Sequence, residues 1–198
     1  ANRNGRAVRF DEDTIRVMGR TATGVRGIRL DDDGNDAVVG MIVVNDPIQE
    51  TVMVVSENGY GKRSLVEDYR KTNRGGKGVK TLNITEKTGR LVAIKVVTDE
   101  NDLMIINKSG IVIRLAVSEC RTMGRATQGV RLINLTKKND VIASVCKTMS
   151  SEFAEELEEK NRSKSSNLQD IIQEEESEEQ NEQTDQPLVD FDDEINEE

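Results

Sequence analysis

One stretch of sequence occurs three times in this chain, and that repeat is the tightest limit on how the chain can fold. The first copy runs NGRAVRF (4–10) and then MGRTATGVRGIRL (18–30); the second runs NGYGKRS (58–64) and TNRGGKGVKTLNI (72–84); the third runs SGIVIRL (109–115) and MGRATQGVRLINL (123–135). Successive copies are offset by 54 and then 51 residues, with no gap inside the aligned blocks. A period of this size means stacked supersecondary units, a solenoid or a propeller, in which no unit buries its apolar face alone.

The aligned positions repeat charge as well as apolar pattern. Arg9, Arg63 and Arg114 correspond, as do Arg20, Arg74 and Arg125. Gly24, Gly78 and Gly129 follow, then Val25, Val79 and Val130, then Arg26, Lys80 and Arg131. The apolar pairs Ile28/Leu30, Leu82/Ile84 and Ile133/Leu135 close the block. Cations held at three fixed positions per unit repeat a surface, not only a core.

Each unit reads as β. Val8/Phe10 and Ile28/Leu30 show the period of two expected of half-buried strands. Ala37–Val44 is a continuous apolar run, the pattern of a strand buried on both faces, and Thr51–Val55 is another. The Asn58-Gly59 step is a hairpin signal. Further strands are expected at Gly61–Val66, Val79–Ile84, Leu91–Val97, Leu103–Ile106, Ile111–Val117, Val130–Leu135 and Val141–Val145. About four strands per unit matches one blade of a propeller-like array. The last strand of a unit runs into the hairpin that opens the next, so blades can share strands and hide edges that would otherwise invite aggregation. The expected architecture is all-β: three consecutive β-pinwheel blades at about 1–56, 57–107 and 108–150. Three units do not close a ring, so an open arc or further neighbours are expected. The chain opens on a hairpin loop without an initiator Met, as a piece of a longer polypeptide would.

Charge divides the chain at residue 150. Only three of the 28 basic residues lie beyond it, against about half of the 37 acidic ones. A mildly basic body with a strongly acidic tail points to a nucleic-acid partner for the body and an interaction role for the tail. SEFAEELEEK can form one short helix, with Met149, Phe153 and Leu157 on one face. Beyond about residue 160, low hydrophobicity and high charge predict disorder, with two apolar islets, Leu168/Ile171/Ile172 and Leu188/Val189/Phe191.

The same composition excludes much chemistry. There is no histidine, so Ser-His and Cys-His sites and His-ligated metals are excluded. Cys120 and Cys146 lack metal-site spacing and are expected as small apolar core residues of a cytoplasmic protein. Asp31–Asp33 with Gly34, Asn35 and Asp36 lacks the ligand order and closing Glu of a calcium loop, and reads as a solvated turn. No run of about 18 apolar residues exists, so no membrane span is expected. No catalytic residue, metal site or cofactor site is expected in these 198 residues.

The Gly-rich segment Asn73-Arg74-Gly75-Gly76-Lys77-Gly78 lacks the spacer and the Lys-Ser/Thr ending of a nucleotide-hydrolase loop. Its glycines let backbone N–H groups approach phosphates while Arg74 and Lys77 add charge; an ordinary β-turn with basic decoration is the alternative. Repetition weighs for the first reading. Arg26, Lys80 and Arg131 fall at strand mouths, and with Arg20, Arg74 and Arg125 they predict a basic stripe that reads the backbone of duplex DNA. Few aromatics are present, which argues against a single-strand stacking platform. Candidate DNA contacts are Arg9, Arg20, Arg26, Lys62, Arg63, Arg74, Gly75, Gly76, Lys77, Lys80, Arg114, Arg125 and Arg131.

The MGRxxxGVRGI-like units, the phrase NGYGKR (58–63) and the closing GRATQGVRLINL (124–135) resemble the C-terminal domain of bacterial DNA gyrase A over residues 1–150. The resemblance implies about the last three blades of a six-bladed β-pinwheel with exchanged strands, which wraps duplex DNA on its basic rim. It further implies partnership with the remainder of gyrase A and with gyrase B in an A2B2 type II topoisomerase. That assembly introduces negative supercoils with ATP and Mg2+ bound elsewhere. Residues 72–78 match five of the seven positions of that family's Gln-Arg-Arg-Gly-Gly-Lys-Gly element, lacking its leading Gln and first Arg, and lie in a later blade. The family's cleavage tyrosine has no counterpart, so no DNA cleavage is expected. The related C-terminal domain of topoisomerase IV and a protein-binding propeller scaffold are the alternatives.

Overall fold

The computed structural model describes residues 1–32, 34–135, 140–151 and 153–156. Ala1–Ser150 forms one compact unit and a second begins at Ser151. In the second, 151 and 153–156 are helical. Met149, expected on that helix, instead ends the last strand. Leu157, the expected disordered stretch and both apolar islets lie outside the described residues.

Nine strands are present among the described residues: β1 (Arg6–Ala7), β2 (Thr51–Ser56), β3 (Tyr60–Leu65), β4 (Val79–Lys80), β5 (Leu91–Val97), β6 (Asn101–Asn107), β7 (Val112–Ala116), β8 (Val130–Arg131) and β9 (Ile142–Met149). All the strand pairs are antiparallel. The central sheet has the order β5-β2-β3-β8, flanked in sequence by a two-stranded sheet β1-β4 and a three-stranded sheet β7-β6-β9. A hairpin turn opens each unit in the same way. The amides of Gly5, Gly59 and Gly110 each donate at 3.1 Å to the carbonyls of Asn2, Ser56 and Asn107. All three glycines have φ near +80°, a conformation that costs a residue with a Cβ.

Strands are shared between units, as the run-on sequence suggested. β4 of the second unit pairs with β1 of the first, and β8 of the third pairs with β3 of the second. The close approach needs glycine. A Cβ at Gly78 would lie 2.4 Å from the Ala7 carbonyl oxygen, and one at Gly129 would lie 2.4 Å from that of Gly61. Both residues also hold positive φ.

The first unit corrects two expectations. Ala37–Val44 is not a strand buried on both faces: it makes one bridge, Val38 to Asn2, and Met41 and Val43 are 82% and 58% exposed. Its counterparts β5 and β9 pair with β2 and β6, the strands that enter their hairpins. In the first unit Arg3 N–H donates to the Ala37 carbonyl at 2.8 Å and Val39 N–H to that of Ala1 at 3.0 Å. Ile28–Leu30 is likewise not a strand, and neither are its counterparts Leu82–Ile84 and Ile133–Leu135: the strands expected at Val79–Ile84 and Val130–Leu135 are limited to Val79–Lys80 and Val130–Arg131.

β2 explains the core. Its Val52 and Val54 enter a cluster with Ala7, Val66, Tyr69 and Leu82, between the first and second units. Its Met53 and Val55 enter another with Val117, Cys120 and Leu135, between the second and third. A strand with a core on each face must be apolar at every position, which is why TVMVV does not alternate. Fully burying a Val or Met side chain contributes about 1.5–3 kcal/mol, so each boundary is a hydrophobic interface as well as a strand pair. Cys120 is buried as expected; Cys146, on an outward position of β9, is exposed, contrary to expectation.

Candidate nucleic-acid interface

The three repeated sets of cations have different fates. The first set holds units together. Arg9 Nη1 donates to the carbonyls of Val66 (2.9 Å) and Tyr69 (3.1 Å). Arg63 Nη1 donates to the equivalent carbonyl of Val117 at 2.9 Å and pairs with Asp99. In both cases the target is the 3-10 turn of the next unit, Val66–Asp68 or Val117–Glu119. The backbone follows the same pattern: Thr72 N–H donates to the Arg9 carbonyl and Met123 N–H to that of Arg63, both at 2.8 Å. The Arg63 carbonyl and guanidinium are thus spent on the boundary, and the residue is 8% exposed. Arg114, the third member, pairs with Asp102 at 2.6 Å and donates to the Met149 carbonyl.

Lys62 is also not on the surface. It has no exposure, and its Nζ donates to the Gly124 carbonyl at 2.7 Å and to Ser64 Oγ at 3.2 Å. Burial lowers its pKa to about 8, against the opposing pull of the Asp68 carboxylate, while Arg125 lowers it further. Its expected place among DNA contacts is corrected, as is that of the buried Arg63, while Arg9, which also holds a boundary, is half-buried. The signal was available: the aligned residues are Val8 and Ile113, both apolar.

The second and third sets meet across the unit boundaries. Gly75 N–H donates to the Gly27 carbonyl at 2.7 Å, and Arg29 N–H to that of Gly76 at 2.9 Å. One boundary later, Asn83 N–H donates to the Thr127 carbonyl at 3.0 Å, the counterpart of the Arg29 bond. These bonds set the Arg74 loop against Arg26, whose Cγ and Cδ lie 3.9 Å from a Cβ built at Gly75. They set Arg125 against Lys80, whose carbonyl accepts from Arg125 Nη1 at 2.7 Å while the Asp68 carbonyl accepts from Nε. Arg20, Arg26, Arg74, Gly76, Lys77, Lys80 and Arg131 are exposed, and Gly75 and Arg125 are half-buried.

Arg131 is held by Tyr60. Its Nη2 and Nε donate to the Tyr60 hydroxyl at 2.9 and 3.2 Å, and its guanidinium lies 5.5 Å from the ring centroid. Lys87 Nζ lies 5.6 Å from the same ring. Arg6 faces Lys80 across β1 and β4 at the register where Tyr60 faces Arg131. Arg6 and Lys87 were not anticipated. Neither is basic in all three copies, and only the strand register and the Tyr60 ring place them beside the stripe. The Tyr69 hydroxyl meets Thr81 Oγ1 at 2.5 Å inside the core, so both tyrosines serve packing.

Among the described residues no cluster of acidic or cysteine side chains could hold a metal ion, and no helix is long and apolar enough to cross a membrane. A family pattern described as DNA gyrase C-terminal domain, beta-propeller, matches residues 1–45, 50–98 and 101–145, one segment per repeat. DNA gyrase A of Staphylococcus aureus is 48% identical over 159 residues, which is 80% of this chain and 18% of that protein. That of another strain is 55% identical over 128 residues, 65% of this chain and 14% of that protein. The chain therefore spans less than a fifth of the length of these relatives. A solved gyrase A C-terminal domain superposes with a TM-score of 0.66 at 26% identity, covering 75% of this chain and 49% of that one. The C-terminal domain of a DNA topoisomerase IV shares the fold, with a TM-score of 0.69 at 23% identity over 80% of this chain and 49% of that one. With strands exchanged between successive repeats and a family segment on each repeat, the chain belongs to the DNA gyrase C-terminal domain family of β-propellers.

Proposed function

We propose that the exposed cations at the unit boundaries bind duplex DNA without sequence preference and bend it along the repeat. The chain would act as part of the C-terminal domain of a gyrase A protein. The observation that carries this reading is the pairing of Arg26 with the Arg74 loop and of Lys80 with Arg125. A charge pattern repeated at fixed spacing matches the phosphate backbone, which is itself periodic, and carries no groups suited to reading base edges. Bending duplex DNA costs on the order of 1–6 kcal/mol per 20–30 bp, so many contacts must share the work.

On this reading the partners are duplex DNA, the remainder of gyrase A and gyrase B. The chain supports negative supercoiling whose ATP and Mg2+ are bound elsewhere in the assembly. Strand cleavage is not assigned to this chain, since Tyr60 and Tyr69 are committed to Arg131 and Thr81. The gyrase assignment is favoured over topoisomerase IV by the 48% identity to gyrase A. The test is energy transfer between dyes at the two ends of a duplex of mixed sequence. Binding should bring the ends together, and an unrelated duplex of equal length should compete equally. Binding with no change in end-to-end distance would remove the bending half of the proposal.

A further inference from the structure

A fourth cation recurs in every copy, in the gap between the two aligned blocks. Arg16, Arg70 and Arg121 stand at the offsets of the repeat, 54 and then 51 residues. With Arg9, Arg20, Arg26 and their counterparts, they complete the positions that are basic in all three copies. All three are exposed. Among the described residues none of their guanidiniums forms an ion pair or a side-chain hydrogen bond. Glu67, Asp68 and Glu119, the carboxylates of the adjacent 3-10 turns, leave Arg70 and Arg121 unpaired.

The fold fixes the backbone on both sides of this position. In the second unit Tyr69 before it is buried and its carbonyl accepts from Arg9 Nη1 at 3.1 Å, while Lys71 after it bridges to Arg9. In the third unit Cys120 is buried and its N–H donates at 2.9 Å to the Val117 carbonyl that Arg63 also holds, while Thr122 bridges to Arg63. The boundary-holding arginine of one unit thus sets where the next unit presents its exposed one. The bridges also place the row. Thr122 meets β3 at Arg63, and Arg131 meets the same edge at Tyr60, three residues or about 10 Å along the strand. Lys71 at Arg9 and Lys80 at Arg6 repeat this one boundary earlier. Arg70 and Arg121 therefore stand at one end of an edge whose other end carries Lys80 and Arg131. Arg125 joins the two ends, donating to the carbonyls of Asp68 and Lys80.

We infer that Arg16, Arg70 and Arg121 form a second row of phosphate contacts for duplex DNA, so that the basic stripe is a band two rows deep. The inference rests on the DNA-binding reading above. A guanidinium with no protein partner presents its whole donor fork to a phosphate without first breaking an ion pair. Arg114 lacks that freedom, because its Nε is held by Asp102.

An exposed arginine that serves solubility alone separates from a phosphate contact by salt dependence. Affinity for a mixed-sequence duplex is measured across a salt series for the wild type, for Arg70→Gln/Arg121→Gln and for Lys95→Gln/Lys147→Gln. The lysine pair removes equal charge from β5 and its counterpart β9, and β5 is the edge of the central sheet opposite β8. Each phosphate neutralised contributes about 0.9 to the slope of log affinity against log salt. The arginine variant should lose close to two such increments, and the lysine variant less than one. Phenylglyoxal modification of the wild-type chain, read by mass spectrometry, should find Arg70 and Arg121 reactive alone and protected by the duplex. An arginine variant with the slope of the lysine variant, or arginines equally reactive with and without DNA, would overturn the inference and leave the boundary cations in place. A folded wild type that binds no duplex at low salt would instead overturn the DNA-binding reading, and this inference with it.

Discussion

Lys62→Met removes an ammonium group that burial holds far from its ordinary ionisation. In the folded chain its pKa is about 8, against 10.5 for a free lysine. Between those values the unfolded chain binds more protons than the folded one, so folding stability rises with pH across that window. At pH 7 both states are largely protonated, and the full difference of about 2.5 units opposes folding by about 3 kcal/mol. By pH 9 the folded group is mostly neutral, and the penalty falls to about 2 kcal/mol. The variant lacks this titration, although it leaves the Gly124 carbonyl short of a donor at a cost of about 1–3 kcal/mol at either pH. Urea unfolding of both proteins at pH 7, 8 and 9 isolates the group, since every other titration cancels in the difference. The wild type should gain about 1 kcal/mol on Lys62→Met between pH 7 and pH 9. A difference independent of pH would refute the reasoning. Because Lys62 faces inward, the variant should also keep wild-type DNA affinity.

Arg63→Ala should cost about 3 kcal/mol in unfolding free energy, measured with urea, because it strips the donor from a buried Val117 carbonyl; Arg74→Ala should stay within about 0.5 kcal/mol. Gly129→Ala should lower the thermal midpoint sharply, since its Cβ would fall 2.4 Å from a backbone oxygen at positive φ. A thiol reagent at neutral pH should label Cys146 at once and Cys120 only on unfolding, because Cys120 is buried and burial raises its thiol pKa. Mass spectrometry of the labelled peptides reads the order.

The repeat made the architecture legible, because period, glycines and apolar pairs all recur at fixed offsets. It did not distinguish a latch from a rim. Arg63 and Arg74 are both repeated arginines in polar surroundings. What separates them is that Arg63 lies inside β3, facing Met53, while Arg74 lies in a loop. Lys62 was misplaced because charge was weighed above the apolar residues aligned with it. Ala37–Val44 was misread because its composition is that of a paired strand, and pairing depends on a neighbour that composition cannot report. The Tyr60 contact with Arg131 joins residues 71 positions apart, a separation no local pattern reaches.

The account's central claim is that cations at the unit boundaries hold DNA through its phosphates. The most direct test is affinity for a mixed-sequence duplex across a salt series, for the wild type and for Arg74→Gln/Lys77→Gln. Log affinity should fall linearly with log salt, with a slope of about 0.9 per phosphate neutralised, and the double variant should lose close to two such increments. Absence of binding at low salt by a folded chain, or a slope unchanged in the variant, would contradict it.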